Sequence, residues 1–183
     1  MKAKPPPTQK TKKPPRKITL EYLKNAGAYY LGRYASTTAR FRDVMMRKIQ
    51  RSIKEHGEPS LTEANLWLQT VIDDFIRLGY LNDKVFSESF SKSLKIKGLS
   101  TRKISIKLAE RGIEAPENFE IDDLTQLLIF LKRKRWGAFS KKDEDRQKLL
   151  ARLARHGFSY SVCEAGLNMD AESIEDYLET NPK

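Results

Sequence analysis

A chain of 183 residues, 39% hydrophobic and 32% charged, can build one or two ordinary domains with a thin core. No apolar run approaches the roughly 20 residues of a membrane span, the basic N-terminus lacks the apolar stretch of a secretory signal, and the single cysteine, Cys163, excludes an internal disulfide and fits a reducing, cytoplasmic setting. The net charge of +11 is unevenly laid, with seven bases and no acid in residues 1–17, +5 over 18–56 and +7 over 132–155, against −4 over 117–131 and −5 over 156–183, so basic faces beside acidic ones are expected and a polyanion or a mixed protein surface is the natural partner.

Residues 1–17 hold five of the eight prolines and too little apolar surface to offset chain entropy, so a disordered basic tail is expected. After it every segment reads as helix. Thr19 can cap a helix with the stripe Leu23, Ala26, Gly27, Tyr30, Leu31 and Tyr34, spaced i, i+3, i+4, i+7, i+8 and i+11. Ser36 or Thr37 can cap the next, with Phe41, Val44, Met45, Ile49 and Ile53 inward. "HGEPS" at 56–60 breaks the pattern, and Ser60 with Glu63 forms a capping-box signature for a helix carrying Ala64, Leu68, Val71, Ile72, Phe75 and Ile76. Gly79 suits a left-handed helix stop with Tyr80 as its hydrophobic lock, and Asn82-Asp83 restarts a helix at once with Phe86, Phe90 and Leu94 inward, ending near Gly98. Ser100 caps a short helix with Ile104 and Leu108, stopped by Gly112-Ile113. A helix over 120–135 uses Ile121, Leu124, Leu128 and Leu131. One over about 143–156 uses Leu149, Leu150 and Leu153 and is closed by Gly157-Phe158. Two short helices, 160–167 and 171–179 behind Asp170, finish the chain. No stretch alternates with period two, so the fold class is all-α.

The punctuation repeats. A shift of 78 places Val71, Ile72, Phe75, Gly79 and Tyr80 on Leu149, Leu150, Leu153, Gly157 and Phe158. A shift of 63 places Leu31, Thr37, Arg40, Phe41 and Met45 on Leu94, Ser100, Lys103, Ile104 and Leu108. The expected organisation is three tandem helix-turn-helix-like modules, at 18–60, 61–116 and 117–183, each too small to bury its own face and so stacked into an elongated, curved array.

Gly79-Tyr80-Leu81-Asn82-Asp83, Val85-Phe86, Gly98, the basic helix Ile104 to Leu108, and Arg111-Gly112-Ile113 together resemble the central module of the RecX family, regulators of the RecA recombinase. "YYLGRYASTTARFRDVMMRKI" resembles the first module and "RQKLLARLARHGFSYSVCEAGL" the third, so the resemblance spans about residues 26–167. It implies a non-enzymatic protein that lodges in the groove of the RecA–DNA filament. There it would limit filament growth and depress strand exchange, ATPase and co-protease activities. Separately, no long heptad seam argues for a dimer and no metal or cofactor motif is present, so a monomer without metal or cofactor is expected.

The candidate contacts to RecA or DNA are bases. Arg40, Arg42, Arg47 and Lys48 lie in the first module, Arg102, Lys103 and Lys107 in the second, and Lys132, Arg133, Lys134 and Arg135 beside Trp136 in the third. Arg102 and Lys103 fall in a helix's first turn, where cations oppose the dipole, so a use beyond helix stability is expected. Gly79, Tyr80, Asn82, Asp83, Phe86, Gly112, Gly157 and Phe158 are expected to be structural. Catalytic patterns are poor: neither His56 nor His156 has an i, i+4 histidine, no phosphate-cradling glycine loop is present, Cys163 lies on an apolar stripe, and the adjacent Asp122 and Asp123 diverge on a helix. The competing class is a direct DNA binder. The joint at 98–100 has a helix-turn-helix flavour, but "TRKISIKLAERG" offers no Asn or Gln to base edges. Weak contacts to single- and double-stranded DNA, without sequence preference, are expected.

Overall fold

The structure, a computed structural model, describes residues 14–116, 121–142 and 144–181. Among these residues all regular structure is helical: α1 (Leu20–Leu31), α2 (Thr38–His56), α3 (Leu61–Arg77), α4 (Asp83–Lys95), α5 (Thr101–Ala109), α6 (Asp123–Lys134), α7 (Arg146–Arg155), α8 (Tyr160–Leu167) and α9 (Ala171–Thr180), with a turn of 3-10 helix at Gly137–Phe139. The protein is therefore all-α. Every expected cap forms. Thr19, Thr37, Ser60, Asn82, Ser100 and Asp170 each accept a backbone N–H from the first turn that follows, and Asp122 and Asp145 do the same for α6 and α7. Those last two caps start α6 and α7 about three residues later than hydrophobic spacing suggests.

The chain packs as two compact units. The first comprises the residues up to Ala35 together with Phe41–Leu81; the second comprises Ser36–Arg40 and everything from Asn82 on. In the first, α1 lies against α3, and Leu23 of α1, Phe41, Met45 and Ile49 of α2, and Leu68, Val71, Ile72 and Phe75 of α3 share one core. Gly27 makes that approach possible, since a Cβ there would lie 2.7 Å from the Phe75 ring and 2.9 Å from the Phe41 ring. Tyr34, expected on the α1 stripe, falls beyond the helix end and is 58% exposed. The basic-tail reading falls largely on residues 1–13, outside the described residues. Of the rest of that segment, Lys17 pairs with Glu58 at 2.9 Å and the Pro15 carbonyl meets His56 Nε2 at 2.8 Å.

In the second unit, Leu94, Ile104 and Leu108 form one small core, while Leu127, Phe130, Leu131, Leu149, Leu153, Phe158 and Cys163 form another. Helix α6 departs from the expected one-sided stripe: Gln126 through Leu131 are all buried. Helices α8 and α9 cover part of its circumference, and the turn after α4 covers another, with Gly98 so close that a Cβ would lie 2.7 Å from Phe130 N.

Four helix ends share one geometry. The N–H groups of Leu99, Ile113, Trp136 and Phe158 donate to the carbonyls of Leu94, Leu108, Leu131 and Leu153, each acceptor a buried leucine. The residue between stop and donor is Gly98, Gly112 or Gly157 in three of them, and Arg135 at φ 55° in the fourth. The stop at Gly79 is a variant. There Leu81, not Tyr80, donates to Phe75 O at 3.1 Å and is buried. Tyr80, expected to be the lock, is 64% exposed and touches the Phe75 ring edge-on at 5.8 Å.

Candidate interaction surface

Two joints in the second unit repeat one construction. Thr37, the cap of α2, donates its hydroxyl to Arg111 O at 2.7 Å; Ser100, the cap of α5, donates to His156 O at 2.9 Å. Each acceptor immediately precedes a left-handed glycine, Gly112 or Gly157, and a Cβ on either would lie 2.6 Å from its partner helix, from Ala39 Cβ or Ser100 Oγ. One residue further on, Thr38 N–H donates to Asp83 at 2.7 Å and Thr101 N–H to Asp123 at 2.7 Å. The pairs Asn82-Asp83 and Asp122-Asp123 thus divide their labour: the first residue caps its own helix, and the second caps another. Each carboxylate lies between two helix N-termini, where a negative charge is favoured.

The second joint gathers cations. Lys103 from the first turn of α5, Lys134 from the end of α6, and Arg152 and Arg155 from α7 all bear on the His156 ring. That ring packs on Phe130 at 4.7 Å and faces Trp136 at 5.9 Å, while the Arg152 guanidinium lies 4.5 Å over the Trp136 ring. Burial, and then the four cations, hold the His156 imidazole below its ordinary pKa, because each disfavours a further positive charge. Arg102 is exposed beside this joint, its Cβ 3.6 Å from where a Gly157 Cβ would stand. Of the bases singled out by sequence, the structure thus brings Arg102, Lys103 and Lys134 to one place, where Arg152, Arg155 and His156 join them unforeseen. The sequence signal available for these three was the basic run of α7 ending at a glycine stop, which has a sufficient account as helix C-capping.

The other candidate bases are dispersed or engaged. Arg40 is exposed, with its N–H on the Thr37 hydroxyl. Arg42 is tied to Gln69, and the Arg47 guanidinium reaches Asp43 O at 3.2 Å, while Lys48 is half-buried. Lys107 is half-buried on α5. Lys132 pairs with Glu175 at 2.8 Å, Arg133 donates to Lys97 O at 2.8 Å, and Arg135 is the left-handed residue ending α6. Phe86 is half-buried and stacks near Phe90, which Arg111 covers at 4.1 Å. Burial raises the Cys163 thiol above its ordinary pKa, which suits a packed side chain. Among the described residues no group of three His, Cys, Asp or Glu could hold a metal ion, and no helix is long and apolar enough to cross a membrane.

Fold and cluster together define an all-helical protein that presents cations around a histidine at a helix joint. No family model matches the chain, and no solved structure matches it. It is similar to two curated proteins called Regulatory protein RecX. The one from Myxococcus xanthus (strain DK1622) is 35% identical over 162 residues, covering 82% of this chain and 86% of that protein. The one from Agrobacterium fabrum (strain C58) is 24% identical over 170 residues, covering 89% and 91%. The chain belongs to the RecX family.

Proposed function

We propose that this protein is a non-enzymatic cytoplasmic regulator of the RecA recombinase, acting on the RecA–DNA filament. One observation carries the reading: most of the chain, 82%, aligns at 35% identity with a protein called a regulatory protein of this family. In the finer form of the proposal a monomer lodges in the filament groove and limits filament growth, strand exchange, ATP hydrolysis and co-protease activity. The bases at Arg40, Arg42, Arg47, Lys48, Arg102, Lys103, Lys107 and Lys132–Arg135 would meet phosphates or acidic RecA loops. The three-module organisation belongs to the same proposal. It is supported by the twin joints, in which a cap, a glycine stop and a first-turn aspartate recur in the same roles, 63, 45 and 40 residues apart. These modules are repeats of sequence and joint, whereas the compact units are bodies of packing. Linked weak contacts from several modules raise effective concentration, which favours an extended filament over a free subunit.

A second reading, direct DNA binding without sequence preference, is favoured by the cation cluster at His156. The experiment that separates the two measures affinity for bare DNA and for RecA-coated DNA at one salt concentration, alongside RecA-catalysed strand exchange. The regulator reading requires tighter binding to the coated DNA and inhibition of exchange by substoichiometric protein. Unchanged exchange with equal or weaker binding to coated DNA leaves the direct DNA binder.

A further inference from the structure

We propose that Lys103, Lys134, Arg152 and Arg155 around the His156 ring form a site for the phosphodiester backbone of nucleic acid, and that His156 makes its grip tighten as pH falls. The proposal rests on the regulator reading for its biological setting, but not for the binding itself.

Three helices converge on this place. The start of α5 meets the end of α7 where Ser100 bonds the His156 carbonyl at 2.9 Å and a Gly157 Cβ would lie 3.5 Å from Lys103 N, and Phe130 of α6 packs on the His156 ring at 4.7 Å; these helix ends carry Lys103, Lys134, Arg152 and Arg155. Among the described residues Lys103, Lys134 and Arg155 hold no ion pair, and Arg152 meets one acid, Glu144, at 3.5 Å. Like charges so gathered repel one another, and a row of phosphates, each carrying one negative charge, relieves that repulsion with several contacts at once. An acidic side chain offers a single charge at a time. Arg152 lies over one face of Trp136 and Phe130 meets the ring in a T-shaped contact at 5.5 Å, so the indole is already engaged by its neighbours. The site therefore grips backbone rather than bases.

The histidine is held in place for this role. Ser100 fixes its carbonyl and Phe130 its ring. The charged groups that bear on it from α5, α6 and α7 are the four cations already named, with Arg102 beside the same turn and Glu144 turned to Arg152. In the free protein these cations oppose protonation of the imidazole. A phosphate placed among them offsets their charge and favours the imidazolium, so binding takes up a proton. By linkage, affinity then rises as pH falls.

The test uses the full chain and a labelled oligothymidylate of about 20 nucleotides, with a duplex of equal length as a second arm, in fluorescence anisotropy at constant ionic strength. Between about pH 7.5 and about pH 6 the parent should gain about threefold, the part that falls inside this window of the roughly tenfold span of one proton whose pKa rises by one unit on binding. His156→Gln should lose that gain, and His56→Gln, whose ring lies in the first unit, should keep it. Replacing Lys103 and Lys134 by Gln should lower the log–log salt slope by about 1.4 on single strands or about 1.8 on duplex. Circular dichroism establishes that the variants are folded, and the lysine pair tests the site independently of the histidine. An unchanged slope, or a pH gain in His156→Gln equal to the parent's, overturns the proposal. Variants that bind oligonucleotide normally but lose RecA-coated DNA overturn it too, in favour of an acidic protein face. If the oligonucleotide results hold while the parent leaves strand exchange untouched, the site stands and the regulator reading falls.

Discussion

Gly157→Ala should destabilise the second unit more than Gly79→Ala destabilises the first, and the excess should pass through Ser100. Both glycines have positive φ, 93° and 77°. A Cβ in that region costs about 1–2 kcal/mol in backbone strain. At Gly79 nothing lies within 4 Å of the new carbon, so the strain is the whole cost. At Gly157 the carbon would stand 2.6 Å from Ser100 Oγ, which is bonded to His156 O at 2.9 Å and accepts from Lys103 N at 3.2 Å. Moving that hydroxyl forfeits both bonds at about 0.5–1.5 kcal/mol each, for a total of about 2–5 kcal/mol. The assay is urea unfolding followed by Trp136 fluorescence in a Trp67→Phe background for the Gly157 variants and by Trp67 fluorescence in a Trp136→Phe background for Gly79→Ala, since Trp136 lies in the second unit and Trp67 in the first. The double-mutant cycle is decisive: in a Ser100→Ala background Gly157→Ala should cost only the strain. Equal costs with and without the Ser100 hydroxyl would refute the reasoning.

Asp123→Ala removes the acceptor of the Thr101 N–H and hydroxyl, both at 2.7 Å, and should cost about 1.5–3 kcal/mol in the same urea assay. A cost indistinguishable from zero would dissolve the joint. The depressed His156 pKa means that the unfolded chain takes up its proton more readily than the folded one. The stability linked to His156 is therefore fully present above its unfolded value, near 6.5, and is lost as pH falls through the folded value; His156→Gln should flatten that part of the pH–stability curve. Reversing Arg102 and Lys103 to Glu should weaken inhibition of RecA strand exchange while leaving the helical circular dichroism intact, and undiminished inhibition would remove these two from the contact surface. Deleting residues 1–13, which carry five lysines, should lower the salt slope of duplex binding by about 0.9 for each phosphate that those lysines neutralise, and an unaltered slope would show that they touch none.

The sequence by itself determined the local decisions. The all-α class, the caps at Thr19, Ser60, Asn82, Ser100 and Asp170, and the stops at Gly79, Gly112 and Gly157 all follow from chemistry within one turn of the chain, where residue type and spacing are sufficient. Partners distant in sequence were decided only by the tertiary structure. That Leu81 rather than Tyr80 closes the first stop depends on which side chain meets the core beneath it. That α6 is buried all round its middle turns depends on three other elements arriving there, which its own pattern does not record. Asp83 and Asp123 read as ordinary first-turn acids, yet each caps a helix 45 or 22 residues away. The candidate surface divides in the same way. The bases at 102, 103 and 134 were legible as charges at helix ends, but their convergence with Arg152 and Arg155 on His156 exists only because Gly157, lacking a Cβ, lets the end of α7 close against the start of α5.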